Sequence, residues 1–142
     1  MLYSEKELAA LLTQVKNIAI VGAKDKPGQP VDRVGRYLMD AGFTIYPVHP
    51  KRASVWGLPA YPTLADVPAP IDLVDLFRVG EACPAHAGEV LQLSHRPRCF
   101  WMQSGIFSPE ARSILKGSGI LVVEDRCLMV DHARFASEDW HV

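Results

Sequence analysis

Residues able to handle an anionic ligand gather in a few short segments of the chain. Gly22, Ala23, Lys24 and Asp25 open a loop that runs on to Gly28 and Gln29, and Arg33 and Val34 follow it. Pro47, Val48, His49, Pro50 and Lys51 form a second segment, Phe77 and Arg78 a third, Gln103, Ser104 and Gly105 a fourth, and Glu124 to Cys127 a fifth. A glycine such as Gly22 lets the backbone turn tightly and approach a phosphate, while free N–H groups at the start of a following helix favour negative charge. Arg33 falls in the first turn of that helix, where a cation opposes the helix dipole unless an anion is near, so it is the preferred phosphate ligand. Lys24, Lys51 and Arg78 supply further charge for a phosphate clamp. Pro47 and Pro50 flank Val48 and His49 with two rigid residues, a suitable wall for a flat base.

These types exclude some chemistries and leave two ligands open. The spacing after Gly22 is not G-x-G-x-x-G, and the second segment holds His49, Pro50 and Lys51 where an NAD site places an acidic residue for the ribose 2′-hydroxyl. A cation there suits an additional phosphate. Coenzyme A carries one on its ribose 3′-oxygen, beside a diphosphate, and NADP fits the same sign of charge. Cys127 adds a thiol whose neighbour Arg126 would lower its pKa and allow a mixed disulfide with coenzyme A. No nucleophile, base and orienting group assemble into a catalytic set, and neither Tyr-x-x-x-Lys nor a His–carboxylate pair stands out. His86, His95, His132 and His141 lack metal-ligand spacing and read as surface residues.

The elements that must position these segments follow from periodicity. Ser4 and Glu7 resemble a capping box before Leu8, Leu11, Leu12 and Val15, giving a helix over 4–15. Asn17 to Val21 is a buried strand, Pro30 to Ala41 a helix with proline in its first turn, and Phe43 to Val48 a second strand. Tyr37 and Leu38 sit on that helix's apolar face as core. From His49 to Pro70 prolines dictate loop, with one helical turn near Thr63 to Asp66. Strands at Ile71 to Phe77, Arg98 to Met102 and Gly119 to Val123 alternate with helices at Ala82 to Leu93 and Pro109 to Lys116. Trp101 and Met102 are packing residues, and the polar tail from Asp131 wraps the surface. The alternation predicts an α/β, Rossmann-like doubly wound fold: a five-stranded, mostly parallel sheet with helices on both faces. In such a sheet ligands bind beyond the carboxyl ends of the strands at the switch point, which is where the five segments fall.

Composition agrees with a small-molecule or protein partner. The 142 residues suffice for one ordinary core, and the formal charge of −1 leaves no footprint for nucleic acid or a membrane surface. Three cysteines without CxxC spacing suggest neither a disulfide framework nor a zinc site and point to a reducing cytoplasm. No signal peptide or membrane span is expected.

Ile18 to Ala23, Pro30 to Leu38, Ile45 to Lys51, Gly57 to Pro68, Asp75 to Arg78, Trp101 to Gly105 and Asp125 to Cys127 occur in an order that resembles the small stand-alone CoA-binding proteins. That family is similar in fold to the CoA-binding domain of the succinyl-CoA synthetase α-subunit, and the match runs over about residues 14–135. The resemblance implies one Rossmann-like domain over 1–142. Coenzyme A or an acyl-CoA would be held at Gly22 to Gln29, Pro47 to Lys51 and Phe77 to Val79. Where family members often carry asparagine, this chain has His49. The synthetase's phosphorylated histidine belongs to a second domain that this chain lacks, so ligase chemistry is not carried over. The function expected is binding without catalysis. Rival readings are an NADP-dependent reductase, a CoA-linked transferase, or a subunit that needs a partner chain, and a homodimer is compatible with the sequence.

Overall fold

The computed structural model describes residues 3–137. Helix α1 (Glu5–Leu12) starts where the Ser4 hydroxyl accepts the Glu7 N–H at 3.1 Å and buries Leu8 and Leu12. Strand β1 (Asn17–Val21), helix α2 (Pro30–Asp40) and strand β2 (Thr44–Val48) follow. A small antiparallel pair, β3 (Ser54–Val55) and β4 (Leu58–Pro59), precedes a 3-10 turn at Leu64–Asp66. Then come β5 (Leu73–Leu76), α3 (Cys83–Gln92), β6 (Cys99–Met102), α4 (Pro109–Leu115), β7 (Leu121–Val123) and α5 (Leu128–Phe135).

The five main strands lie in the order β2-β1-β5-β6-β7 and every pairing among them is parallel. Chain order reverses between β1 and β5, the switch point of a doubly wound sheet. The Rossmann-like α/β fold expected from the alternation is therefore present. Strand pleating divides the core into two layers. Ile18, Ile20, Leu73 and Trp101 face α1, α2 and α5, while Ala19, Val21, Val74, Leu76, Phe100 and Met102 face α3 and α4. Each fully buried aliphatic contributes about 1.5–3 kcal/mol, so these stripes dictate which way the helices face.

Three expectations need correction. Over its described residues the tail from Asp131 is not a surface wrap: Leu128–Phe135 is helical, with Leu128, Asp131 and Phe135 buried. Asp131 is buried because Arg126 Nε donates to it at 2.6 Å while the same guanidinium reaches Glu5, tying α5 to α1. His132 is not a surface residue either; its Nδ1 lies 2.8 Å from the Tyr37 hydroxyl and its ring packs edge-on against Phe43. The stretch after β2, expected to be loop apart from the turn at 63–66, also holds the β3–β4 hairpin. Trp56 (φ 55°) and Gly57 (φ 74°) make its turn, the double positive-φ geometry that suits tight hairpins.

Candidate functional site

Beyond the carboxyl ends of β1 and β5 lies a crevice of about 660 Å³, within the roughly 300–1,000 Å³ typical of small-ligand sites. Its walls are the β1–α2 turn (Gly22, Lys24, Gln29, Pro30, Val31), the β5–α3 turn (Phe77 to Glu81) and the loop Gly105 to Phe107. Gly22 is required by geometry: its φ is +84°, and a Cβ there would stand 2.4 Å from the Phe77 carbonyl oxygen and 3.5 Å from Arg78 Cδ. The close approach of β1's end to β5's end sets the Arg78 stem against Gly22 in the crevice wall. The N–H groups of Gly22 and Ala23 are not free, since both donate to the Val48 carbonyl, at 2.9 and 3.4 Å. Donors for an anion must come from further along, where α2 begins. There the Gln29 N–H donates to the Lys26 carbonyl, the Asp32 and Arg33 N–H groups donate to the Gln29 carbonyl and Pro30 has none, so this turn offers the crevice the Val31 N–H and the side chains of Lys24 and Gln29.

On the β2 side the cations converge. His49 Nδ1 accepts the Lys51 and Arg52 N–H groups at 3.0 and 3.2 Å, which closes the turn after β2 and requires an unprotonated Nδ1. Burial and the nearby charges of Arg52, Lys24, Arg78 and Lys51 hold the imidazole pKa below its ordinary value. Cations from three strand ends thus act on one residue. Asp25 offsets one of them: its Oδ1 accepts from Arg52 at 3.0 Å, and its Oδ2 accepts the Trp56 N–H at 3.2 Å. Asp25 therefore fastens the β3–β4 hairpin to the β1–α2 loop. The hairpin is fixed a second time by Trp56, whose Nε1 donates to buried Asp32 at 2.9 Å. Its ring covers Gly35, where a Cβ would meet ring atoms at 2.2 Å.

Of the residues singled out in the sequence, Gly22, Lys24, Phe77, Arg78, Val79 and Gly105 line the crevice. His49 and Lys51 stand in the adjoining cationic turn. Pro47 and Val48 are buried in β2, and Pro50 is exposed beside His49. Ala23 and Val34 are core residues, and Arg33 is exposed on α2 outside the crevice lining. Buried Gln103 serves the fold, its Oε1 accepting the Leu128 N–H at 3.0 Å, and Ser104 is exposed. Cys127 is the half-buried N-cap of α5, and the adjacent Arg126 guanidinium is directed to Asp131 and Glu5. Burial pushes the Cys83 thiol up to about 11. His141 lies outside the described residues.

Sequence reasoning passed over several residues. Ile106 and Phe107 line the crevice although they read as ordinary apolar residues, and Arg52 joins the cation group. Asp75, in β5, is fully buried, and neither carboxylate oxygen has a hydrogen-bond partner among the described residues. A lone acid inside the apolar run Leu73 to Phe77 was the available signal. A His–carboxylate pair also exists: His86 Nδ1 lies 2.6 Å from Glu89 Oε1, and Glu89 Oε2 accepts the Leu64 N–H at 3.4 Å. Glu89 lies within α3, outside the crevice lining, where the pair braces the 3-10 turn; His86 is partly buried rather than a surface residue.

The family model described as "CoA binding domain" matches residues 16–133. The Bacillus subtilis (strain 168) protein YneT is 36% identical over 130 residues, covering 92% of this chain and 95% of that one. A solved structure from Thermus thermophilus is 43% identical with a TM-score of 0.87, covering 94% of this chain and 99% of that one. The ADP-forming 4-hydroxybutyrate–CoA ligase of Nitrosopumilus maritimus (strain SCM1) is 42% identical over 60 residues, 41% of this chain and 8% of the ligase. The match along most of its length places the chain in the CoA-binding domain family.

Proposed function

We propose that the crevice binds coenzyme A or an acyl-CoA, with the diphosphate at the β1–α2 junction and the ribose 3′-phosphate at the cationic turn after β2. The observation that carries this reading is the crevice at the β1–β5 switch point, with Lys24 and Arg78 in its lining and Lys51 and Arg52 in the turn that His49 closes beside it. After Asp25 offsets Arg52, the remaining excess of positive charge suits a phosphate beyond the two of the diphosphate. An NAD site would place a carboxylate at the end of β2, where this chain has His49-Pro50-Lys51. Arg78 crosses Gly22 and is poised between the two phosphate positions. On this reading the chain is one CoA-binding unit that senses, carries or regulates through its ligand without chemistry of its own, in the cytoplasm. The His86–Glu89 pair on α3 has no part in it.

The test is a thermal-shift panel with CoA, acetyl-CoA, 3′-dephospho-CoA, NADP and NAD. A ligand at 100 times its dissociation constant stabilises the fold by about 2.7 kcal/mol. CoA species are expected to rank above NADP, and loss of the 3′-phosphate to shrink the shift. Equal shifts for NAD and CoA would overturn the reading.

The stretch shared with the ADP-forming ligase favours a second reading, in which this chain is a subunit completed by a partner chain. Co-purification of a stoichiometric partner from the native source separates that reading from a free-standing binder.

A further inference from the structure

The crevice changes character from one end to the other. Its β2 end is cationic, whereas the β5–β6 end presents Val79 and Phe107, which are 67% and 57% exposed, with half-buried Ile106 beside them. An exposed phenylalanine on a free loop would fold down onto the surface. Here the loop that carries it is fixed. Gly80 packs so tightly on the Phe107 carbonyl that a Cβ would stand 2.3 Å from its oxygen, which brings the Val79 and Phe107 turns together. Gly105 N–H donates to Asp125 Oδ1 at 2.6 Å, Asp125 N–H to the Ile106 carbonyl at 3.2 Å and Ser108 N–H to Glu124 Oε2 at 2.9 Å. Bonds on both sides of Phe107 thus pin the lip before any ligand arrives, which lowers the ordering cost of binding there.

We propose that this lip is a subsite for the acyl chain of an acyl-CoA, selecting uncharged alkanoyl thioesters over the free thiol and over acyl groups ending in a carboxylate. The inference rests on the coenzyme A reading and deepens it. A nucleotide seated at the cationic end directs the remainder of the ligand across the switch point, along the β5–α3 turn and towards the 105–107 loop. The acids at this end are Glu81 in the crevice, Glu110 on the far side of Phe107, and Asp125 and Glu124 bonded to the backbone of the lip, so a carboxylated chain meets like charge. An alkyl chain covers apolar surface that water otherwise wets.

Isothermal titration with CoA, acetyl-, butyryl-, hexanoyl- and succinyl-CoA tests it, using the wild type, Val79→Ser, Phe107→Ser and, as a control outside the crevice, Ile114→Ser on α4. Full burial of a methylene strengthens binding about fourfold, and a lip open on one side about twofold, so hexanoyl-CoA, four methylenes longer, should bind roughly 15-fold tighter than acetyl-CoA. Succinyl-CoA should bind no tighter than acetyl-CoA. Phe107→Ser and Val79→Ser should bring the hexanoyl-to-CoA affinity ratio towards one, and Ile114→Ser should leave the wild-type series. A flat series with CoA still bound, or a rising series unchanged in both lip variants, would overturn the acyl subsite alone. Failure of every CoA species to bind would overturn the coenzyme reading with it.

Discussion

Replacing Asp75 by asparagine isolates one buried ionisation from everything else in the molecule. Asp75 sits in β5 between Ile20 of β1 and Trp101 of β6, with no exposed surface and no hydrogen-bond partner for either oxygen among the described residues. Burial holds its pKa well above the ordinary aspartate value, so the fold keeps a proton that the unfolded chain releases above about pH 4. The sign follows: the stabilisation is fully present below the unfolded pKa and is lost as pH rises through the folded one. The loss reaches at most about 1.4 kcal/mol per pH unit, or about 2.7 kcal/mol between pH 5 and 7. Asparagine preserves the shape and cannot ionise. The stability of Asp75→Asn relative to wild type should therefore climb with pH. Other titrating groups, Glu5, His49 and His132 among them, are common to both proteins and cancel in the difference. Urea unfolding at pH 5, 6 and 7, followed by the fluorescence of buried Trp101 and its neighbours, gives the two curves. Parallel curves, or a wild type that gains on the variant as pH rises, would refute a protonated Asp75.

Three other outcomes follow from the site. Gly22→Ala forces a Cβ onto the Phe77 carbonyl at a positive φ and should cost about 2 kcal/mol or more in thermal stability, with loss of CoA binding. Arg78→Ala should weaken CoA about tenfold by calorimetry, more than Arg33→Ala does, because Arg78 lines the crevice beside Gly22 and Arg33 lies outside its lining. Asp131→Ala removes a buried acceptor of Arg126 and should lower unfolding stability by about 2 kcal/mol without changing the ranking of ligands.

The sheet was legible because apolar runs of strand length alternate with helical stripes ending in glycine or proline, and local pattern dictates both. The β1–α2 turn was legible for the same reason: Gly22 directly follows a buried strand. Helix α5 was not, because its buried positions include Asp131, whose burial depends on Arg126 and on Glu5 at the other end of the chain. Asp25 looked like a loop charge near the ligand, yet its partners Arg52 and Trp56 lie 27 and 31 residues away and turn it into a fastener for a hairpin of two-residue strands. The same limit explains Arg33 and Arg78. Position in a helix's first turn argued for Arg33, whereas only the tertiary approach of Phe77 to Gly22 shows why Arg78 stands in the crevice wall. Phe107 carried no signal at all, since exposure is a property of the folded loop.

The central claim is met most directly by a crystal structure of the protein soaked with coenzyme A. The account predicts the diphosphate at the start of α2 beside Lys24 and Gln29, and the 3′-phosphate within reach of Lys51, Arg52 or Arg78. Density for the coenzyme in the groove between α1 and α5, or none at the β1–α2 junction at saturating ligand, would contradict it.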